Sequence, residues 1–262
     1  MTKFLKKALK WGRKKCIEMI CRLIAIRNYL NWTVKKRHFD FKNILQVFPK
    51  VDSLTPVHLY NWHYGTRYFL LTCCQKKIFV KVLSNEALAN REICFYENIV
   101  EKCSQLRNYI PNYLSSLKTK ENIYIFIEYI DGAVFNSIKF DNFGASLKCE
   151  ICEKLFLILK TLNNAGVSHN DIRLQNFMLK NNSPILFDFG YACYASEKKL
   201  LLASLSPLER ERLNNFNRIA KDVHDDAFSM FYIIKHVNPE FKANQSKIWN
   251  ELNSLMKYLA EK

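Results

Sequence analysis

The sequence predicts an α+β fold: a small antiparallel sheet, then a mainly helical half, with a basic amphipathic helical segment ahead of both. Three observations carry this. Three short β-type runs separated by turn signals lie between Val57 and Leu83, apolar residues keep helical spacing from Leu147 onward, and positive charge is crowded into the first 37 residues. A chain of 262 residues that is 49% hydrophobic is long enough to bury a core as one two-lobed domain or two small ones. The expected division is a basic segment over 1–45, a sheet-bearing lobe over 46–130 and a helical lobe over 131–262.

Between Met1 and Arg37 there are 12 Lys/Arg and one acid, Glu18, so this segment holds +11 of the chain's +16. Phe4, Leu5, Ala8, Leu9, Trp11, Ile17, Ile20, Leu23 and Ile24 interleave with Lys3, Lys6, Lys7, Lys10, Arg13, Lys14 and Lys15, the pattern of a basic amphipathic helix. Glu18, Arg22 and Arg27 interrupt its longest apolar stretch, which excludes a signal peptide or a membrane span and predicts a cytoplasmic protein. Three uses fit such a helix: attachment to an anionic membrane surface, packing on the catalytic domain, or nucleic-acid binding. The first is favoured and nucleic acid is not expected, because basic residues beside an anionic leaflet each contribute about 1 kcal/mol.

Val57 to Tyr60, Arg67 to Cys74 and Ile78 to Leu83 read as three strands of a meander, with turns at Asn61 to Thr66 and Gln75 to Lys77. In the third strand Phe79, Lys81 and Leu83 share one face, so Lys81 is a charge within an apolar strand. A helix follows, capped by Ser84 or Asn85, on which Leu88, Glu92, Phe95 and Ile99 form the inward stripe. A carboxylate at Glu92 then needs a cation, and Lys81 is the candidate. Ile123 to Tyr129 is a further strand, and the turn Ile130-Asp131-Gly132 suits a linker between lobes.

Leu147, Ile151, Leu155, Ile158 and Leu162 mark a helix that ends at Asn163, Asn164 and Gly166. Phe177 to Leu179 should pair with Ile185 to Phe187 across Asn181-Asn182-Ser183, and the remainder is helical. The nine cysteines show no paired metal-ligand spacing and read as buried free thiols.

The chemistry concentrates in His169-Asn170-Asp171-Ile172-Arg173-Leu174-Gln175-Asn176, followed twelve residues after Asn176 by Asp188-Phe189-Gly190. The first motif follows a helix and the second ends an apolar strand. With those contexts, the stretch from Val57 to Val237 resembles the protein-kinase-like superfamily. The resemblance implies a two-lobed kinase-like fold using ATP and Mg²⁺. It makes Asp171 the catalytic base and Arg173 a catalytic cation near the γ-phosphate, with Asn176 and Asp188 as oxygen ligands of the metal. It also makes Lys81 the grip on the α- and β-phosphates, held by Glu92. Glu128 and Ile130 become the backbone contacts to adenine, and Asp131 a contact to ribose or acceptor. Asp226 would brace the catalytic loop from below, and His169 would pack on Phe189.

Four departures accompany the match. No Gly-x-Gly-x-x-Gly precedes Lys81, Phe79 stands where the family keeps a small residue against adenine, Asn170 replaces an arginine, and no Ala-Pro-Glu follows Gly190. They point away from a conventional protein kinase. The hinge Ile127-Glu128-Tyr129-Ile130-Asp131-Gly132 and the basic amino terminus resemble bacterial lipopolysaccharide core heptose kinases. This implies a sugar or lipid-linked sugar acceptor and a peripheral position on the inner membrane. A choline- or aminoglycoside-type kinase, a protein kinase and a membrane-associated pseudokinase are the alternatives.

Overall fold

The computed structural model describes residues 2–100, 104–205, 226–241 and 246–260. The chain divides into two compact units, one made of Met1–Ala89 and Tyr113–Tyr129, the other of Asn90–Asn112 and Ile130–Lys262.

The first unit opens with α1 (Thr2–Asn31), which runs through a π-helical turn (Trp32–Lys36) into α2 (Arg37–Val47). From Ala25 onward this segment packs on the sheet of the same unit. Ala25, Trp32 and Ile44 are buried, and Trp32 and Ile44 join Trp62, Phe69, Val80, Val82 and Phe126 in one core. The Trp32 ring meets Trp62 edge-on at 5.6 Å, and the Asn28 amide donates to the Trp62 carbonyl at 2.9 Å. The second anchor is polar. Asp40, fully buried, accepts two hydrogen bonds from Arg67 (3.1 and 3.0 Å), one from the Trp32 indole (2.9 Å) and a short one from the Tyr124 hydroxyl. A buried carboxylate is tolerable only with such full satisfaction. Burial, and then the Asp40 bond and charge, push the Tyr124 phenol well above its usual value.

The sheet is antiparallel, built from β1 (Ser53–Val57), β2 (Arg67–Cys73), β3 (Lys76–Leu83), β4 (Tyr113–Lys118) and β5 (Ile123–Glu128) in the order β1-β2-β3-β5-β4. The first strand lies earlier than expected, because His58 adopts a left-handed φ of 50° and begins a 3₁₀ turn over Leu59–Tyr64. The β2–β3 hairpin closes through Cys74 and Gln75, both at positive φ (50° and 64°), as a two-residue turn requires. Strand β4 escapes sequence reading because Ser115 and Ser116 break its alternation and a bulge falls between Tyr113 and Ser115. Helix α3 (Glu86–Cys94) is capped by Asn85, whose Oδ1 accepts the Leu88 N–H at 3.2 Å.

In the second unit the core helix is α4 (Ala145–Asn164), which buries Ile151, Leu155, Ile158, Leu159 and Leu162. Strands β6 (Ala133–Val134), β8 (Phe177–Lys180) and β9 (Ser183–Leu186) form one sheet, and β7 (Val167–Ser168) pairs with β10 (Cys193–Tyr194) in another. The β8–β9 turn sits on Asn181 and Asn182, at φ 49° and 60°. Gly132 is required where the chain enters β6, since a β-carbon there would lie 2.5 Å from the Leu179 carbonyl oxygen. Helices α5 (Lys198–Ser204), α6 (Asp226–Val237) and α7 (Ser246–Ala260) follow, α6 packing on α4. Positions 206–225, part of the expected helical remainder, lie outside the described residues, as does Cys103. Of the eight described cysteines only Cys152 and Cys193 are buried, so the thiols are mostly at or near the surface, contrary to the expectation. The Cys152 thiol donates to the Ile234 carbonyl at 3.7 Å, and burial raises its pKa.

Candidate active site

Strand β7 delivers the chain into the loop 169–176, and two backbone features fix that loop. Asn170 is held at φ 62°, a left-handed conformation that needs outside support in a residue with a side chain. The support comes from Asp226 at the start of α6, whose carboxylate accepts the His169 N–H at 2.6 Å and the Asn170 N–H at 2.9 Å. The Asn170 amide nitrogen also donates to the Tyr191 carbonyl at 2.9 Å, tying the loop to the segment after Gly190. The expected brace from Asp226 is thus present.

His169 is a packed residue here. Its Nδ1 accepts the Asp171 N–H at 3.2 Å, so Nε2 carries the proton and donates to the Phe187 carbonyl at 3.3 Å. Its ring meets Phe189 edge-on at 5.0 Å, and Phe95 stacks on Phe189 with centroids 3.7 Å apart. Arg91, which carries no signal in the sequence, donates to the Gly190 carbonyl at 2.9 Å. The Asp188-Phe189-Gly190 turn is therefore held on several sides, with Asp188 itself at φ 69°.

Between these supports the polar groups converge. Asp171, almost fully buried, has its Oδ2 at 2.9 Å from the Asn176 Nδ2 and at 2.9 Å from the Arg173 Nη2. Asn176 also donates from Nδ2 to the Asp171 carbonyl at 2.8 Å. With its nitrogen committed twice, Asn176 has Oδ1 left as its ligating atom. The Phe187 N–H donates to the Asn176 carbonyl at 3.1 Å, so the β8–β9 hairpin brings Asp188 to the same end as Asn176. One amide oxygen and one carboxylate are the donor set of a hard divalent cation that takes its other ligands from phosphate oxygens and water. Among the described residues no cluster of three or more His, Cys, Asp and Glu offers an alternative metal site.

The other expected site residues fall as follows. Lys81, on β3 between Tyr68 and Ile125, is 7% exposed, and Glu92, on α3, is 1% exposed. The inward position expected for Glu92 is the observed one. Glu128 ends β5 opposite Ile78, Ile130 is buried, and Asp131 is exposed. Phe79 shares an aromatic group with Tyr68 (5.8 Å) and His58 (5.9 Å), which occupies part of the sheet face that carries Lys81.

A five-stranded antiparallel sheet bearing a buried lysine, and a helical unit bearing this braced Asp-Asn-Asp loop, together describe a kinase-class protein. Sequence comparison says the same: the protein kinase domain matches residues 66–208, more than half of the chain, and the chain belongs to that family. Among curated proteins it is similar to the serine/threonine-protein kinase STE20 of Yarrowia lipolytica, 26% identical over 47% of this chain and 11% of the relative. It is also similar to the mitogen-activated protein kinase kinase kinase 2 of Arabidopsis thaliana, 29% identical over 48% of this chain and 20% of the relative. A probable serine/threonine-protein kinase of Encephalitozoon cuniculi is 28% identical over 34% of this chain and 17% of its own length. The match thus spans a fifth or less of these relatives. None of the three is a lipopolysaccharide heptose kinase.

Proposed function

We propose that this chain is an ATP- and Mg²⁺-dependent protein phosphotransferase that acts on serine or threonine hydroxyls. The observation that carries the reading is the Asp171 carboxylate, fixed between Asn176 and Arg173 on a loop that Asp226 holds in a strained conformation. Strain kept at a polar, braced loop is expected where geometry serves chemistry. The serine/threonine acceptor follows the similar proteins of Yarrowia lipolytica and Encephalitozoon cuniculi, both serine/threonine-protein kinases by name.

In this mechanism Asn176 and Asp188 would hold the cation, which when bound offsets charge on the phosphate groups. Asp171 orients the acceptor hydroxyl and takes its proton as the oxygen attacks the γ-phosphorus, whose bond to the bridging oxygen breaks so that ADP leaves. Arg173 keeps a positive charge against Asp171 and near the transferred group. Lys81, a buried cation on the sheet, would meet the remaining phosphates. Glu128 and Ile130 offer backbone groups to the base, and Asp131 meets ribose or acceptor.

A lipid-linked sugar acceptor is the second reading, favoured by the basic first segment and by the lack of Ala-Pro-Glu after Gly190. One experiment separates the two. The purified protein is given Mg²⁺ and γ-labelled ATP with a casein and histone mixture in one arm and bacterial lipopolysaccharide-bearing membranes in another, beside Asp171→Ala. Label on serine or threonine, lowered by about 10³-fold or more in the variant, is the expected result. Label confined to glycolipid replaces the acceptor. No transfer in either arm, or equal transfer by the variant, removes the enzyme and leaves a kinase-shaped binding module.

A further inference from the structure

Helix α1 and the turn after it present two opposite faces, and among the described residues only one of them is covered. The covered face carries Ala25, Asn28, Tyr29 and Trp32, packed against the turn Leu59–Tyr64. On the other side Ile20, Leu23, Leu30 and Val34 recur at intervals of three, seven and four residues and are 52%, 59%, 57% and 81% exposed. Met19 and Ile26, equally exposed, widen the row. Leu23, Ile26, Leu30 and Val34 line an open groove together with Arg27 and Lys35. In the sequence the same spacing continues back to Leu9 and Leu5, among Lys6, Lys7 and Lys10.

A solvated helix puts its polar side outward, and a run of exposed aliphatic residues this long marks an interaction surface. Charge decides the occupant. The first 37 residues carry +11, so two copies pairing along this row would bring like charges together, whereas an anionic surface neutralises them. Aliphatic side chains contribute nothing against a nucleic-acid backbone, but they enter the boundary between headgroups and acyl chains. Arg27 and Lys35 lie beside the row, where long stems keep their charges at headgroup level, while Arg22 is paired with Glu18 at 2.8 Å. Among the described residues no helix is long and apolar enough to cross a membrane.

We propose that the outward face of α1 seats the protein on an anionic lipid surface, lying in the interface plane, with Leu23 and Leu30 as its central anchors. This is independent of which hydroxyl is phosphorylated. The test is co-sedimentation of the full chain with phosphatidylcholine vesicles containing about 30% phosphatidylserine and with pure phosphatidylcholine vesicles, at low and moderate salt. A Leu23→Gln/Leu30→Gln variant, which removes apolar surface and leaves the net charge unchanged, is compared with wild type, and circular dichroism and thermal unfolding verify that both are folded. Expected are partitioning selective for the anionic vesicles, weakened by salt, and a loss of about tenfold or more in the variant. Equal partition of wild type and variant would mean a contact made by charge alone and would overturn the proposal. So would equal binding to neutral vesicles, or a wild-type dimer that ignores vesicles and becomes monomeric in the variant.

Discussion

Asp226 spends both carboxylate oxygens on consecutive backbone N–H groups, and through them it sets the direction of Asp171. It acts as a positioning residue, at a distance from the reacting atoms. Asp226→Asn keeps one good acceptor and loses the charge, so about 2 kcal/mol of stability should go, read from urea unfolding. The strained φ at Asn170 then loses half its support, and turnover should fall more than nucleotide affinity does. A stability loss with turnover unchanged would show that the brace has no part in placing Asp171. This residue was legible because it opens an apolar helix at a position the family resemblance singles out. Arg91 and the Tyr191 carbonyl were not, since their partners are backbone atoms that carry no side-chain signature.

At the level of elements, the two hairpins and the core helix follow from local chemistry. Asn181 and Asn182 tolerate the left-handed turn, and the stripe from Ile151 to Leu162 fixes which side of α4 is inside. What pattern alone missed was the docking of α2. Its decisive residue is a single aspartate whose partners, Arg67 and Tyr124, are far away in the chain. Asp40→Ala leaves Arg67 buried without its counter-charge and should cost about 3–5 kcal/mol, measured by thermal or urea unfolding. For the same reason deletion of Met1 to Arg37 is a poor test of membrane attachment. It withdraws Trp32 from the core, a loss of about 3–5 kcal/mol, and confounds lipid binding with unfolding.

For the whole molecule, the motif pair set the family, whereas composition and length left one two-lobed domain and two small ones equally open. Acceptor identity was less legible, because it depends on surfaces that share no spacing rule with the catalytic loop. The hinge and basic amino terminus suggested a glycolipid, whereas the proteins found similar to this chain are named as protein kinases. Stability against pH is a property of the whole fold in which Tyr124 should stand out. Its folded pKa lies above the unfolded value of about 10, so its stabilising contribution is complete below pH 10 and is lost as pH climbs beyond it. Tyr124→Phe should therefore lose stability more gently above about pH 10 than wild type, in urea midpoints taken between about pH 9 and 12. A limb of equal steepness would place the alkaline sensitivity elsewhere.

The wide turn at Trp32–Lys36, where the Arg37 N–H reaches back five residues to the Trp32 carbonyl, is in effect one residue inserted into a continuous rod. Removing that extra residue, for instance by deleting Lys35, would let the rod close into ordinary α-helix and swing everything upstream by about 100°. Tyr29 would leave its tryptophan neighbours, and the row through Leu23 and Leu30 would turn away from solvent. The phase of that single loop thus decides which side of the amino-terminal rod the surroundings meet.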